Sequence, residues 1–158
     1  MRCAIASMFC ALAIPAGAAM QTDIGVLTCT LAEHSQKDTN PDSQTLAMHC
    51  SFKPKGTGPE ETYVGEIKKV GSQTELNGKL VLIWAVMGPS DRKLKPAVLQ
   101  QTFVGEVAGD PLGKAQPPKM LVGERDKAYG LQPVTDNGNE PASRSVTLVE
   151  LRIKSTPS

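Results

Sequence analysis

Two segments near the start of the chain alternate apolar and polar side chains with a period of two, and each sets its cysteine on the apolar side. In residues 24–31, Leu27, Cys29 and Leu31 share one face and Thr28 and Thr30 the other; in residues 46–52, Leu46, Met48, Cys50 and Phe52 oppose Ala47, His49 and Ser51. A period of two belongs to a strand buried on one face, because successive side chains of an extended backbone point to opposite sides. Cys29 and Cys50 are therefore placed for a core-facing cross-strand or inter-sheet disulfide. The polar stretch 33–44, with Asn40-Pro41-Asp42, reads as the loop between the two strands.

The rest of the chain continues in the same style. Thr62-Tyr63-Val64-Gly65-Glu66-Ile67 has a near-copy, Thr102-Phe103-Val104-Gly105-Glu106-Val107. Two copies are too few for a solenoid, so the reading is two strands in similar positions of one sheet. Gly65 and Gly105 then mark a bulge, a bend or a close approach. Between the copies, residues 80–87 (Leu-Val-Leu-Ile-Trp-Ala-Val-Met) are apolar without alternation and end at Gly88-Pro89-Ser90. That pattern predicts a central strand covered on both faces. Residues 120–123, 128–134 and 146–153 are further short strands, separated by turns at 109–113, 116–118 and 136–139. No stretch sustains an apolar period of 3.6. About eight short strands with turn signals between them predict an all-β fold, an antiparallel barrel or sandwich, with Trp84, Tyr63 and Phe103 in its core.

The first nineteen residues stand apart. Met1-Arg2 precedes an apolar run from Cys3 to Ile14, then Pro15 and the small residues Ala16-Gly17-Ala18-Ala19. This is the order of a secretory signal peptide, and the run is too short for a membrane-spanning helix, which needs about 20 residues. Lipidation at Cys10 is disfavoured by the bulky Phe9 before it. The expected organisation is a signal peptide over 1–19, cleaved after Ala18 or Ala19, and a single all-β domain over 20–158. Removal of 1–19 takes Arg2, Cys3 and Cys10 with it. Of the 17 basic and 16 acidic residues and four cysteines, the exported chain keeps 16 of each sign and one cysteine pair. A pair in an oxidising compartment is expected to be bridged. Zero net charge gives no electrostatic reason to seek nucleic acid, and no later stretch is apolar enough to act as a transmembrane segment.

Candidates for chemistry are few. A bridged Cys29–Cys50 pair supplies neither a nucleophile nor a thiolate ligand, and there is no C-x-x-C. His34 and His49 lack the spacing of a metal site, and phosphate-binding glycine motifs are absent, so no metal and no cofactor is expected. The basic run Arg92-Lys93-Leu94-Lys95 precedes Pro96 in a loop and reads as solubilising. Glu66 and Glu106, at matching places in the repeat, are the one carboxylate pair to weigh, since glycoside hydrolysis uses two carboxylates at a set separation. Each alternates in phase with a valine and out of phase with the aromatic, so the bland alternative is a pair of solvated strand glutamates.

Taken in order, Ile24-Gly25-Val26-Leu27-Thr28-Cys29, Cys50-Ser51-Phe52, Tyr63-Val64-Gly65-Glu66-Ile67, Leu82-Ile83-Trp84-Ala85-Val86, Thr102-Phe103-Val104-Gly105 and Tyr129-Gly130-Leu131-Gln132-Pro133-Val134 resemble the exported proteobacterial family known as domain of unknown function 992. The resemblance runs from about Ile24 to Arg152. It implies a periplasmic protein of a Gram-negative bacterium and carries over no catalytic residues. The expectation is a periplasmic or secreted, non-catalytic binding or interaction module, with a protein or small-molecule partner in the cell envelope. Two alternatives accompany it: a periplasmic inhibitor of a cell-wall hydrolase, and a hydrolase using Glu66 and Glu106.

Overall fold

The structure is a computed structural model and describes residues 21–31, 45–68, 81–90, 93–105, 108–109, 115–116, 119–134, 146 and 148–153. Residues 1–19, the 33–44 loop with His34, Arg92, Glu106 and the 136–139 turn lie outside them. Eight strands form a closed barrel: β1 (Gln21–Leu31), β2 (Thr45–Pro54), β3 (Glu61–Lys68), β4 (Val81–Pro89), β5 (Thr102–Gly105), β8 (Leu121–Gly123), β9 (Gly130–Pro133) and β10 (Leu148–Ile153). Around the barrel they run β1-β2-β3-β10-β5-β8-β9-β4 and back to β1, every pair antiparallel. A separate two-stranded ladder, β6 (Ala108–Gly109) with β7 (Ala115–Gln116), brackets the turn expected at 109–113.

An eight-stranded barrel has an interior just wide enough for side chains to fill, and this one is filled. The inward residues are the apolar halves of the alternating segments: Leu27 and Cys29 from β1, Met48, Cys50 and Phe52 from β2, Tyr63 and Ile67 from β3, Leu82, Trp84 and Val86 from β4. Phe103, Leu121, Leu131, Val149 and Leu151 complete the ring. Cys29 and Cys50 are direct cross-strand partners with Cα atoms 4.0 Å apart, and they are disulfide-bonded inside the barrel.

The repeated hexapeptide has a simple positional meaning. β3 and β5, which carry its two copies, pair with opposite sides of β10, and Tyr63 and Phe103 both point inward. Gly65 causes no register shift in β3. It sits between Met48 and Leu151 in register, and a Cβ there would meet Met48 Cε at 2.6 Å and Leu151 Cδ2 at 2.9 Å. Those side chains occupy the volume the glycine leaves.

The run at 80–87 differs from expectation. Leu82, Trp84 and Val86 are buried, but Val81 is 53% and Ile83 37% exposed. β4 is thus covered on one face. A closed barrel covers the inner face of each strand and leaves the outer one to solvent, so the continuous apolar run marks a strand with apolar residues on both sides and only one side buried.

Candidate contact face on the barrel wall

With the lumen filled, the outer wall is where a partner can be met. The outward positions of β2, β3 and β10 enclose a depression of about 150 Å³, lined by Ala47, Met48, His49, Val64, Gly65, Glu66, Glu150 and Arg152. Strand register brings these residues together. Ala47 lies opposite Glu66 and His49 opposite Val64 across β2–β3; Glu66 lies opposite Glu150 and Val64 opposite Arg152 across β3–β10. Parity then sends all six to the outside.

Two carboxylates directly opposite each other on one face repel, and the wall answers one of them. Arg152 donates to Glu150 Oε1 through Nε at 3.0 Å and Nη2 at 2.7 Å. Glu150, through these bonds and then through its charge, raises the Arg152 pKa, and the charge of Glu66 adds to the effect. Glu66 itself makes no hydrogen bond or ion pair with another described residue. The depression therefore has a floor of small and apolar groups, an ion pair on one rim, an exposed imidazole at His49 and, at Glu66, a carboxylate with no hydrogen bond or ion pair to another described residue.

A second polar cluster lies at one end of the barrel. Tyr63, almost fully buried, donates to Glu61 Oε2, while Ala97 N donates to Glu61 Oε1 at 3.0 Å. Burial first, then the hydrogen bond and charge of Glu61, push the Tyr63 phenol well above its ordinary pKa, opposed by a hydrogen bond with the Leu99 backbone.

Of the residues singled out in the sequence, Cys29 and Cys50 meet as a disulfide. Glu66 lies in the depression, on the outer face. Its carboxylate neighbour there is Glu150, and Glu106 lies outside the described residues. His49 is exposed on the same wall. In the last strand Glu150 and Arg152 alternate with Val149 and Leu151, but nothing in the sequence signals their proximity to Glu66, because only the β3–β10 register creates it. Among the described residues no group of three His, Cys, Asp or Glu side chains is placed to hold a metal ion, and no helix is long and apolar enough to cross a membrane.

Neither a curated protein nor a solved structure matches the chain. A family model does, over residues 8–154, which span the barrel from its first strand to its last. The chain belongs to that family, described as Protein of unknown function (DUF992).

Proposed function

We propose that this protein is an exported, non-catalytic binding module of the periplasm that engages its partner through the outer wall of β2, β3 and β10. The observation that carries the reading is Glu66, which makes no hydrogen bond or ion pair with another described residue, beside a depression on a barrel whose described inward side chains form one buried core. The described inward side chains pack into one buried core, and the wall offers a carboxylate, an imidazole and a small apolar floor within one patch. The chemistry that matches is a cationic group with an apolar stem, such as a lysine or arginine side chain or an amine-bearing glycan. The signal-peptide pattern of residues 1–19 supports export, and the buried disulfide suits an oxidising compartment.

The test is affinity capture from periplasmic extract with the mature protein and with Glu66→Gln, followed by titration of the captured partner. Weakening of at least tenfold by Glu66→Gln, with binding that falls as salt rises, is the expected result. Equal affinity of the two forms for every captured partner would remove this face from the function. Assaying cell-wall hydrolase inhibition by the same two forms tests whether the partner is such an enzyme.

A further inference from the structure

Residues 93–101 run across one end of the barrel between β4 and β5, and the way they are held is unusual. Leu99 is completely buried in the core, and Leu94 and Val98 pack partly against it. Yet the backbone that delivers Leu99 is strained. Ala97 has φ 58°, in the left-handed region, and is the only non-glycine residue there among those described. Pro96-Ala97 follows the order of proline then left-handed residue found in a type II turn, whose second place ordinarily goes to glycine or asparagine. An L-residue with a Cβ is disfavoured in that conformation. At the far end of the segment Gln101 is 7% exposed; its Oε1 accepts from Asp126 N at 2.8 Å, while its Nε2 is buried without a partner. Two costs thus fall within five residues.

What opposes them is a small latch on β3. Ala97 N donates to Glu61 Oε1 and the buried Tyr63 donates to Glu61 Oε2. One carboxylate thus ties the strap at Ala97 to a core phenol of β3. The other ties from the strap to the barrel among the described residues are Leu151 N to Gln101 O at 3.0 Å, where β10 runs past the start of β5, and Asp126 N to Gln101 Oε1 at 2.8 Å.

We propose that residues 93–101 form a strap that opens independently of the barrel and, on opening, uncovers an apolar socket at the barrel end, the one Leu99 fills when the strap is closed. A segment held by few bonds and carrying concentrated strain belongs to the low-stability end of a fold.

Hydrogen exchange of the full mature protein tests the opening. Amides of 97–101 are expected to exchange at least tenfold faster than those of β1 and β4, by a route insensitive to low denaturant. Glu61→Gln, which turns one acceptor of the latch into a donor, is expected to accelerate exchange in 97–101 a further tenfold and leave β1 and β4 unchanged. Ala97→Gly, which keeps the latch and removes the strain, is expected to slow it about threefold. Exchange of 97–101 at the rate of β1 and β4 in the unaltered protein, or uniform acceleration by Glu61→Gln, would overturn the strap. Should Glu61→Gln fail to fold, the unaltered protein and Ala97→Gly decide the matter. The socket is read with 8-anilinonaphthalene-1-sulfonate: at least fivefold more probe bound by folded Glu61→Gln supports it, and no increase overturns it.

Discussion

Single residues in this barrel are constrained by what faces them across the ladder. Gly25 follows a register shift in β1 between Asp23 and Gly25, a bulge whose amide donates to the Asp23 carboxylate at 3.1 Å. A Cβ on Gly25 would lie 2.6 Å from the Lys53 carbonyl oxygen and 2.8 Å from Pro54 Cα, both backbone atoms of the paired strand. Gly65 meets only side-chain ends. Gly25→Ala is therefore expected to cost about 1–3 kcal/mol, in the range of overpacked cores, and Gly65→Ala clearly less, because Met48 can rotate away; urea unfolding of the two variants gives the order. Tyr63 carries a pH dependence of definite sign. The unfolded phenol ionises near 10.0, while the folded one holds its proton to higher pH. Its contribution to stability is thus fully present below pH 10 and is lost above it, at up to about 1.4 kcal/mol per pH unit, since the unfolded state there binds fewer protons. Tyr63→Phe is expected to flatten the fall in unfolding free energy between pH 9 and 11. Tyr63 was visible in the sequence as a core aromatic, whereas nothing singled out Gly25 within the first strand. The Lys53 carbonyl beside Gly25 was not visible either, since a contact between strands is set by register; the Glu61 carboxylate lies two residues before Tyr63 on the same strand, and only the fold turns it onto the phenol.

At the scale of elements, the two alternating segments that carry the cysteines become the adjacent strands β1 and β2, and their parity dictates that the disulfide lies within the barrel. It closes a loop across a sequence separation of 21. In the chain-entropy picture that is worth about 3 kcal/mol. Replacing both cysteines by alanine is expected to lower stability by about that amount or somewhat more, the excess coming from lost packing. Mass spectrometry of the protein under non-reducing conditions is expected to show no free thiol at Cys29 or Cys50. The repeated hexapeptide was legible as two equivalent strands; that they flank a common partner, β10, was not, because nothing local identifies the strand between them. β4 marks the other limit of local reading. An unbroken apolar run is the signature of a strand buried on both faces, and its outer residues Val81 and Ile83 are instead exposed. Coverage of a strand's second face depends on what packs there, which periodicity within the strand does not encode.

The whole molecule closes in a specific way. β1, β2 and β3 follow one another around the wall, β4 returns to the free side of β1, and β9, β8 and β5 extend from it in turn. That leaves β3 and β5 as the two edges, and β10, last in the chain, fills the gap by pairing with both. β10 also supplies Val149 and Leu151 to the core and Glu150 and Arg152 to the contact face. A chain ending before residue 146 is expected to keep much of its strand signal in the far ultraviolet but to lose a cooperative unfolding transition of Trp84 fluorescence and to aggregate through the open edges of β3 and β5. A soluble truncated monomer with a sharp transition would show that the barrel does not need its closing strand. By itself, the sequence determined the all-β class, the number of wall strands, the inward faces of β1 and β2 and the cysteine pair, because these follow from a period of two within single strands and from turn residues between them. Only the tertiary structure decided that the sheet closes into a barrel, that Glu66 faces Glu150, and that Glu61 and Tyr63 hold the strap carrying Leu99. Those depend on which strands lie side by side and in what register, and hydrogen bonding between extended backbones is nearly blind to sequence until the side chains of both strands are brought together.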